Sequence, residues 1–361
     1  MNWPSHGANP IKLYKEMSAE QPASVVDFSV NTNPLGSPDG LRSHLEKSLE
    51  KIHNYPDPDS ERLHQRLAKQ HEVTQNQVLV GNGASEMIYL LAQLWQGQRV
   101  GIVQPTFSEY QKACDAYGCK IYPIMLEEEH QFDLNPSNYR PFLDLIDVLF
   151  LCHPNNPTGA VYKPHILQDL IRQCKEKEVV VVIDEAFYDF VADVPFYSPH
   201  VIENSNVILL RSLTKMFAIP GLRLGYAVGE PSLIKRMKMY QPTWSVNSFA
   251  EEAGLYCLGK SRFQQQTAEA ISVEKRSLFT KLKELGYRPI TTQTNYFLMK
   301  DPFHEDTKAM IGFLLRRGVI VRHTYNFLSL EGRFVRVAIK RREENERLLS
   351  ALQRWRFLCS P

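Results

Sequence analysis

Val179-Val180-Val181-Val182-Ile183 is an unbroken β-branched run, closed by Asp184. Side chains alternate between the faces of a strand, so a run that is apolar at every position has to be covered on both sides. Such strands belong to parallel sheets, whose crossover helices lie on each face. Val207 to Arg211 repeats the pattern. Around these runs strands and helices alternate. A short strand spans Gln77 to Val80, and Gly81-Asn82-Gly83-Ala84-Ser85-Glu86 opens an amphipathic helix through Trp95. Arg99 to Val103 reads as a strand with a helix after Pro105. Asp147 to Cys152 reads as a strand, with a helix over Ile166 to Lys177. Leu224 to Val228 is one more strand candidate, with an antiparallel direction left open. The rhythm predicts an α/β fold built on a large, doubly wound, mainly parallel sheet.

The texture changes at both ends. The first forty or so residues read as irregular and turn-rich, as in Ser29-Val30-Asn31-Thr32-Asn33-Pro34-Leu35-Gly36. After about Glu251 a long helical pattern runs from Phe263 to Leu285. Strands at Tyr296–Lys300, Val319–Arg322 and Phe334–Ile339 follow, with a helix near Ala309–Arg316 and a last one over Glu343–Phe357. The expected division is an N-terminal arm (1–40), a large domain (41–255) and a smaller α+β C-terminal domain (256–361).

Composition narrows the function classes. The chain has 361 residues, 43% of them hydrophobic, enough for one large core and a smaller one. A net charge of +2 gives no electrostatic case for nucleic acid or an acidic membrane. The six cysteines are scattered and form no C-x-x-C pair, which suits free thiols in a reducing cytosol better than disulfides or a zinc site. No signal-peptide pattern and no membrane-length apolar run is present, so a cytoplasmic location is expected, and the scattered cysteines add the expectation of no metal.

The chemistry lies where strands end. In open α/β sheets ligands sit beyond the carboxyl ends of the strands. Asn156, Asp184, the run Ser212-Leu213-Thr214-Lys215 and the Gly81-to-Glu86 loop each follow a predicted strand. Lys215 supplies an amine that can condense with an aldehyde and later move protons at a substrate's α carbon. Asp184 would stabilise a protonated pyridine nitrogen, which makes the ring an electron sink. Asn156 can donate to a phenolate oxygen. Ser212, Arg223 and the amides near Gly83, Ala84 and Ser85 would cup a phosphate at a helix N-terminus. Phe107 or Tyr110 could stack on the ring. Each motif alone is weak, since a lone Asp is often a helix cap and Gly-Asn-Gly a plain turn. S-x-x-K also occurs in penicillin-recognising serine enzymes, but their S-D-N and K-T-G partners are absent here. The convergence of four strand ends is the argument.

In this order the residues resemble the fold-type I pyridoxal-phosphate enzymes, in the branch that holds histidinol-phosphate aminotransferase and threonine-phosphate decarboxylase. The anchors are Asn155-Asn156-Pro157-Thr158-Gly159, Asp184-Glu185-Ala186-Phe187, Ser212 to Lys215, Gly221 to Gly225, and Phe334 to Ile339. The resemblance implies pyridoxal 5'-phosphate held by Lys215, with Asp184 at its ring nitrogen and Arg336 on a substrate carboxylate. It also implies a homodimer with shared active sites, in which Tyr55 reaches the neighbour's cofactor phosphate. His6-Gly7-Ala8-Asn9 resembles the decarboxylase opening, and Phe187 stands where related aminotransferases usually carry a tyrosine. These features favour decarboxylation of L-threonine O-3-phosphate to (R)-1-amino-2-propanol O-2-phosphate, in cobalamin synthesis, over transamination of histidinol phosphate. Arg322 and Arg336, helped by His6 and Asn31, are the expected substrate anchors, because a guanidinium grips phosphate or carboxylate through two parallel bonds. A regulatory module on a retired transaminase fold is disfavoured, since Lys215 is intact.

Overall fold

The computed structural model describes residues 3–191 and 204–359. Strand β1 (Val26–Asp27) lies in the N-terminal segment. The strands β2 (Val78–Gly81), β3 (Arg99–Gln104), β4 (Lys120–Met125), β5 (Val148–Cys152), β6 (Val180–Asp184), β7 (Val207–Ser212) and β8 (Gly225–Gly229) form the central sheet. Their order is β2-β8-β7-β6-β5-β3-β4, and only β8 runs against its neighbours. The unbroken apolar runs have the predicted cause. Along β5, Val148, Phe150 and Cys152 join the core under the helices Ala84–Leu94 and Glu109–Ala116. Leu149 and Leu151 join the core on the opposite face, against the helix Pro164–Glu176. Both faces are dry, so both must be apolar.

A second sheet is antiparallel, in the order β12-β13-β10-β9, from β9 (Arg288–Pro289), β10 (Tyr296–Lys300), β12 (Arg322–His323) and β13 (Val335–Ala338). The helix Ser261–Glu284 leads into it, and Arg342–Cys359 packs against that helix. Strand β11 (Val319–Ile320) pairs in parallel with β1. No helix among the described residues is long and apolar enough to cross a membrane.

Three expectations need correcting. The N-terminal stretch is not irregular throughout. It holds β1 and a helix, Pro10–Glu16, started by Pro10 and capped by Asn9, whose side chain accepts from the Lys12 amide. The run Val319–Arg322 is not one strand but breaks at Val321 into β11 and β12, which serve different sheets. Strand β4 went unpredicted, because Lys-Ile-Tyr-Pro-Ile-Met carries a proline and buries only Ile124. Both features suit an edge strand, where proline is tolerated. Elsewhere element ends move by a residue or a few, as fraying ends do.

Register brings the strand ends together. Gly81 of β2 pairs with Gly225 of β8, and Gly225 pairs with Ser212 of β7. Asp184 of β6 pairs with Cys152 of β5. The residues that close these strands therefore lie along one edge of the sheet.

Candidate active site

A cavity of about 440 Å3 opens at that edge. Its walls come from the N-terminal segment, the central sheet's loops, and Arg322, Phe327 and Arg336 from the second sheet's region.

Asp184 is the buried acid of the cavity, 4% exposed. Tyr110 donates its hydroxyl to Oδ2 at 2.7 Å, and the Ala186 amide donates to Oδ1 at 3.0 Å. Burial raises its pKa, against the two hydrogen bonds and Lys215. A cationic ring nitrogen would favour the ionised form. Lys215 sits on a short helix, Leu213–Met216, which starts directly after β7, and its carbonyl accepts from the Asn33 amide at 2.9 Å. Burial first, then Arg336 and Arg223, bring its ammonium down to about 8, with Asp184 acting the other way. Its neutral amine is thus accessible near physiological pH, as attack on an aldehyde needs.

Glycines shape the turn expected from sequence to hold a phosphate. Gly83 has φ +82°, and a Cβ there would lie 2.5 Å from the Arg223 Nη2. Only glycine lets that guanidinium lie against the first turn of the helix Ala84–Leu94. A Cβ on Gly225 would lie 2.4 Å from the Ala84 nitrogen, so β8 also needs glycine to pass under the same turn. Ser212 Oγ is 2.8 Å from Thr214 Oγ1 at the same edge. Amides at a helix start, a guanidinium and hydroxyls form an anion site.

Across the cavity Arg322 and Arg336 are direct cross-strand partners on β12 and β13. Like charges directly opposite are destabilising. Both are buried, at 3% and 6% exposure, and neither has a carboxylate partner among the described residues. Arg336 donates to Asn156 Oδ1 at 2.6 Å and to the Ser29 carbonyl at 2.8 Å. Arg322 donates to the Ser5 carbonyl and to Asn326 Oδ1, each at 2.7 Å. Burial lowers Arg322 to about 9, with Arg336 adding to it, and burial lowers Arg336 to about 10. The buried Asn31 Nδ2 and Arg336 Nε have no acceptor among the described residues. Two cations and two idle donors at one cavity wall are what an anionic ligand would satisfy.

Most residues expected from sequence meet here. Lys215, Ala84, Ser85, Phe107, Asn156, Asp184, Ser212, Arg223, His6, Asn31, Arg322 and Arg336 all line the cavity. Gly83 stands just behind, against Arg223. Tyr55 does not line it. Its side chain is 81% exposed and stacks on Trp244, with ring centroids 4.7 Å apart. Tyr110 is committed to Asp184 and stacks on Phe150 at 5.4 Å. Phe187 lines the cavity and meets Tyr296 edge-on at 4.7 Å. Sequence reading missed Tyr110 as the holder of Asp184, Cys152 in the wall, and Glu109 beside His6. Only the position of Glu109-Tyr110, shortly after a strand end, could have flagged those two.

Residues 23–352 match the family model for aminotransferase class I and II. The chain belongs to this family. It is 37% identical to the threonine-phosphate decarboxylase of Salmonella typhimurium over 97% of this chain and 96% of that one. Among solved structures it resembles a histidinol-phosphate aminotransferase from Clostridium acetobutylicum, with TM-score 0.86 and 26% identity. That match covers 91% of this chain and 98% of the other. An L-threonine-O-3-phosphate decarboxylase from Porphyromonas gingivalis matches with TM-score 0.80 and 27% identity over the same shares. The family's cofactor is pyridoxal phosphate. The glycine-built cup, the buried acid and the lysine of lowered pKa fit that group in this chain.

Proposed function

We propose that this chain decarboxylates L-threonine O-3-phosphate, giving (R)-1-amino-2-propanol O-2-phosphate and carbon dioxide, as a step of cobalamin synthesis. The observation that carries this reading is the facing pair Arg322 and Arg336, two buried cations without a carboxylate partner among the described residues. Threonine phosphate brings a phosphate and a carboxylate on one short skeleton, one anion for each guanidinium. The identity to a threonine-phosphate decarboxylase points the same way.

When bound, pyridoxal phosphate supplies an electron sink for the α-carbon bond that stands perpendicular to its ring. Everything else is the protein's work. Asp184, held by Tyr110 and the Ala186 amide, balances positive charge on the ring nitrogen. Arg336 holds Asn156 by its oxygen, which keeps the amide nitrogen as the donor toward the ring oxygen. Gly83, Ala84, Ser85, Ser212 and Arg223 hold the cofactor phosphate. With Tyr110 committed, Phe107 takes the stacking role. Arg336 grips the substrate carboxylate, and Arg322, His6 and Asn31 take its phosphate, so that the carboxylate is the group set perpendicular. Carbon dioxide leaves, and the Lys215 ammonium supplies the proton that replaces it on the α carbon.

The reading includes the division at 1–40, 41–255 and 256–361, a cytoplasmic location, and a homodimer in which Tyr55 reaches the second copy's phosphate cup. Exposed apolar side chains support the last point: Leu49, Ile52, Tyr55, Met239, Tyr240 and Trp244, of which Tyr55 and Trp244 stack on each other. The deciding assay presents cofactor-loaded protein with threonine phosphate, and separately with histidinol phosphate plus a keto acid. Carbon dioxide release from the first, with no keto acid added, is expected. Amino transfer from histidinol phosphate without such release would replace this reading with a transaminase.

A further inference from the structure

The N-terminal segment 3–9 runs along the cavity and is fastened on both sides of it. On one side Trp3 stacks on Tyr325 at 4.4 Å, and Arg322 and Asn326 hold the Ser5 carbonyl at 2.7 and 2.8 Å. On the other side a single imidazole makes the attachment. His6 Nε2 lies 2.8 Å from Glu109 Oε1, and Lys112 Nζ lies 2.8 Å from the same oxygen and 2.9 Å from the same imidazole nitrogen. Glu109 is itself restrained. It opens the helix Glu109–Ala116, where the backbone dipole favours a carboxylate, and Tyr89 approaches its Oε2 at 3.5 Å.

A carboxylate in the wall of a cavity that takes phosphorylated molecules is an oddity. Alone it would repel the substrate. The side chain is only 15% exposed, so water screens it weakly. We infer that Glu109, with Lys112, is a positioning residue: it docks His6 of the N-terminal segment onto the central-sheet half of the cavity, fixing the imidazole against the substrate phosphate. This deepens the substrate reading above and rests on it. Lys112 offsets the carboxylate's charge on the shared oxygen, so the cluster fixes His6 without presenting a net negative wall. Gly7 makes the dock possible. A Cβ there would lie 2.5 Å from the Ser29 carbonyl oxygen, so the segment lies directly on that backbone.

Simple repulsion and docking predict opposite signs. If Glu109 only repelled anions, Glu109→Gln would lower KM for threonine phosphate. Docking predicts a KM about tenfold higher, the loss of one charge-assisted hydrogen bond. Unphosphorylated threonine should be little affected, and kcat should fall less than KM rises. His6→Asn combined with Glu109→Gln should be no worse than His6→Asn alone. Amide exchange in the peptide covering 3–14 should be at least about threefold faster in Glu109→Gln. A lowered or unchanged KM, or additive losses in the double variant, would overturn the inference. If the parent enzyme does not turn over threonine phosphate, the substrate reading falls instead. Glu109 is then judged by exchange with inorganic phosphate as the probe. Faster exchange in Glu109→Gln supports the dock, and equal exchange ends it.

Discussion

Asp184 is pushed towards protonation by burial and drawn back by two hydrogen bonds and Lys215. Tyr110→Phe removes one of those bonds without emptying the core, because the ring still packs on Phe150. The carboxyl then shifts further up and balances a ring cation less well. Cofactor affinity should drop about tenfold, the worth of one hydrogen bond to a charge. Titration of the visible-edge absorbance reads it, and unchanged affinity would remove Tyr110 from the site's support. Lys215 has the opposite problem, an ammonium lowered from its ordinary value to about 8 by burial and two arginines. Below that value it is protonated and cannot attack an aldehyde. The rate of cofactor uptake by the apo protein should therefore climb through about pH 8 and level off above it. A rate flat between pH 6.5 and 9 would contradict the burial argument. Arg322→Ala removes one of two facing cations. It should weaken phosphorylated substrates by about a hundredfold and unphosphorylated ones by less than about threefold. Equal losses, read from kcat/KM, would take Arg322 out of the phosphate role.

At the scale of elements, the turn between β2 and the helix Ala84–Leu94 depends on backbone shape. Gly83→Ala would put a methyl where Arg223 Nη2 now lies and force an L residue to φ +82°. The strain costs about 1–3 kcal/mol, because that backbone region is essentially glycine's alone. Melting should move by a few degrees only, while release of cofactor on dialysis speeds up markedly; a cofactor held as firmly as in the parent would show that the cup is elsewhere. This turn also marks what sequence reading reaches. Strands β5 to β8 were legible because burial on both faces writes itself as unbroken apolar runs, and the glycines, Asp184 and Lys215 stand beside those runs. Strand β4 was not, because an edge strand with Pro123 and polar neighbours looks like a loop. Strands β11 and β12 split at Val321 through their pairing partners, β1 and β13, which no local pattern reveals. The facing of Arg322 and Arg336 has the same origin. Each arginine was named from sequence, but only register places one opposite the other.

At the scale of the whole molecule, Leu49, Ile52, Tyr55, Met239, Tyr240 and Trp244 are large apolar side chains left in solvent by the single chain. One chain alone builds the buried acid, the lysine and the glycine cup, yet leaves Tyr55 out of its own cavity. A second copy seated on these side chains would bury them and bring a phenol to the partner cup. Ile52→Glu puts a charge into such an interface, while Ile52 is 61% exposed in the single chain and its fold should tolerate the change. Light scattering should then show a chain of half the parent mass, with cofactor bound more weakly. Tyr55→Phe should weaken cofactor in the same direction without changing the mass, because it removes the hydroxyl and leaves the contact surface. If Ile52→Glu halves the mass and cofactor affinity stays at the parent level, the copies associate but do not share a site. If the parent is already monomeric and Tyr55→Phe has no effect, Tyr55 is a surface residue stacked on Trp244 and nothing more.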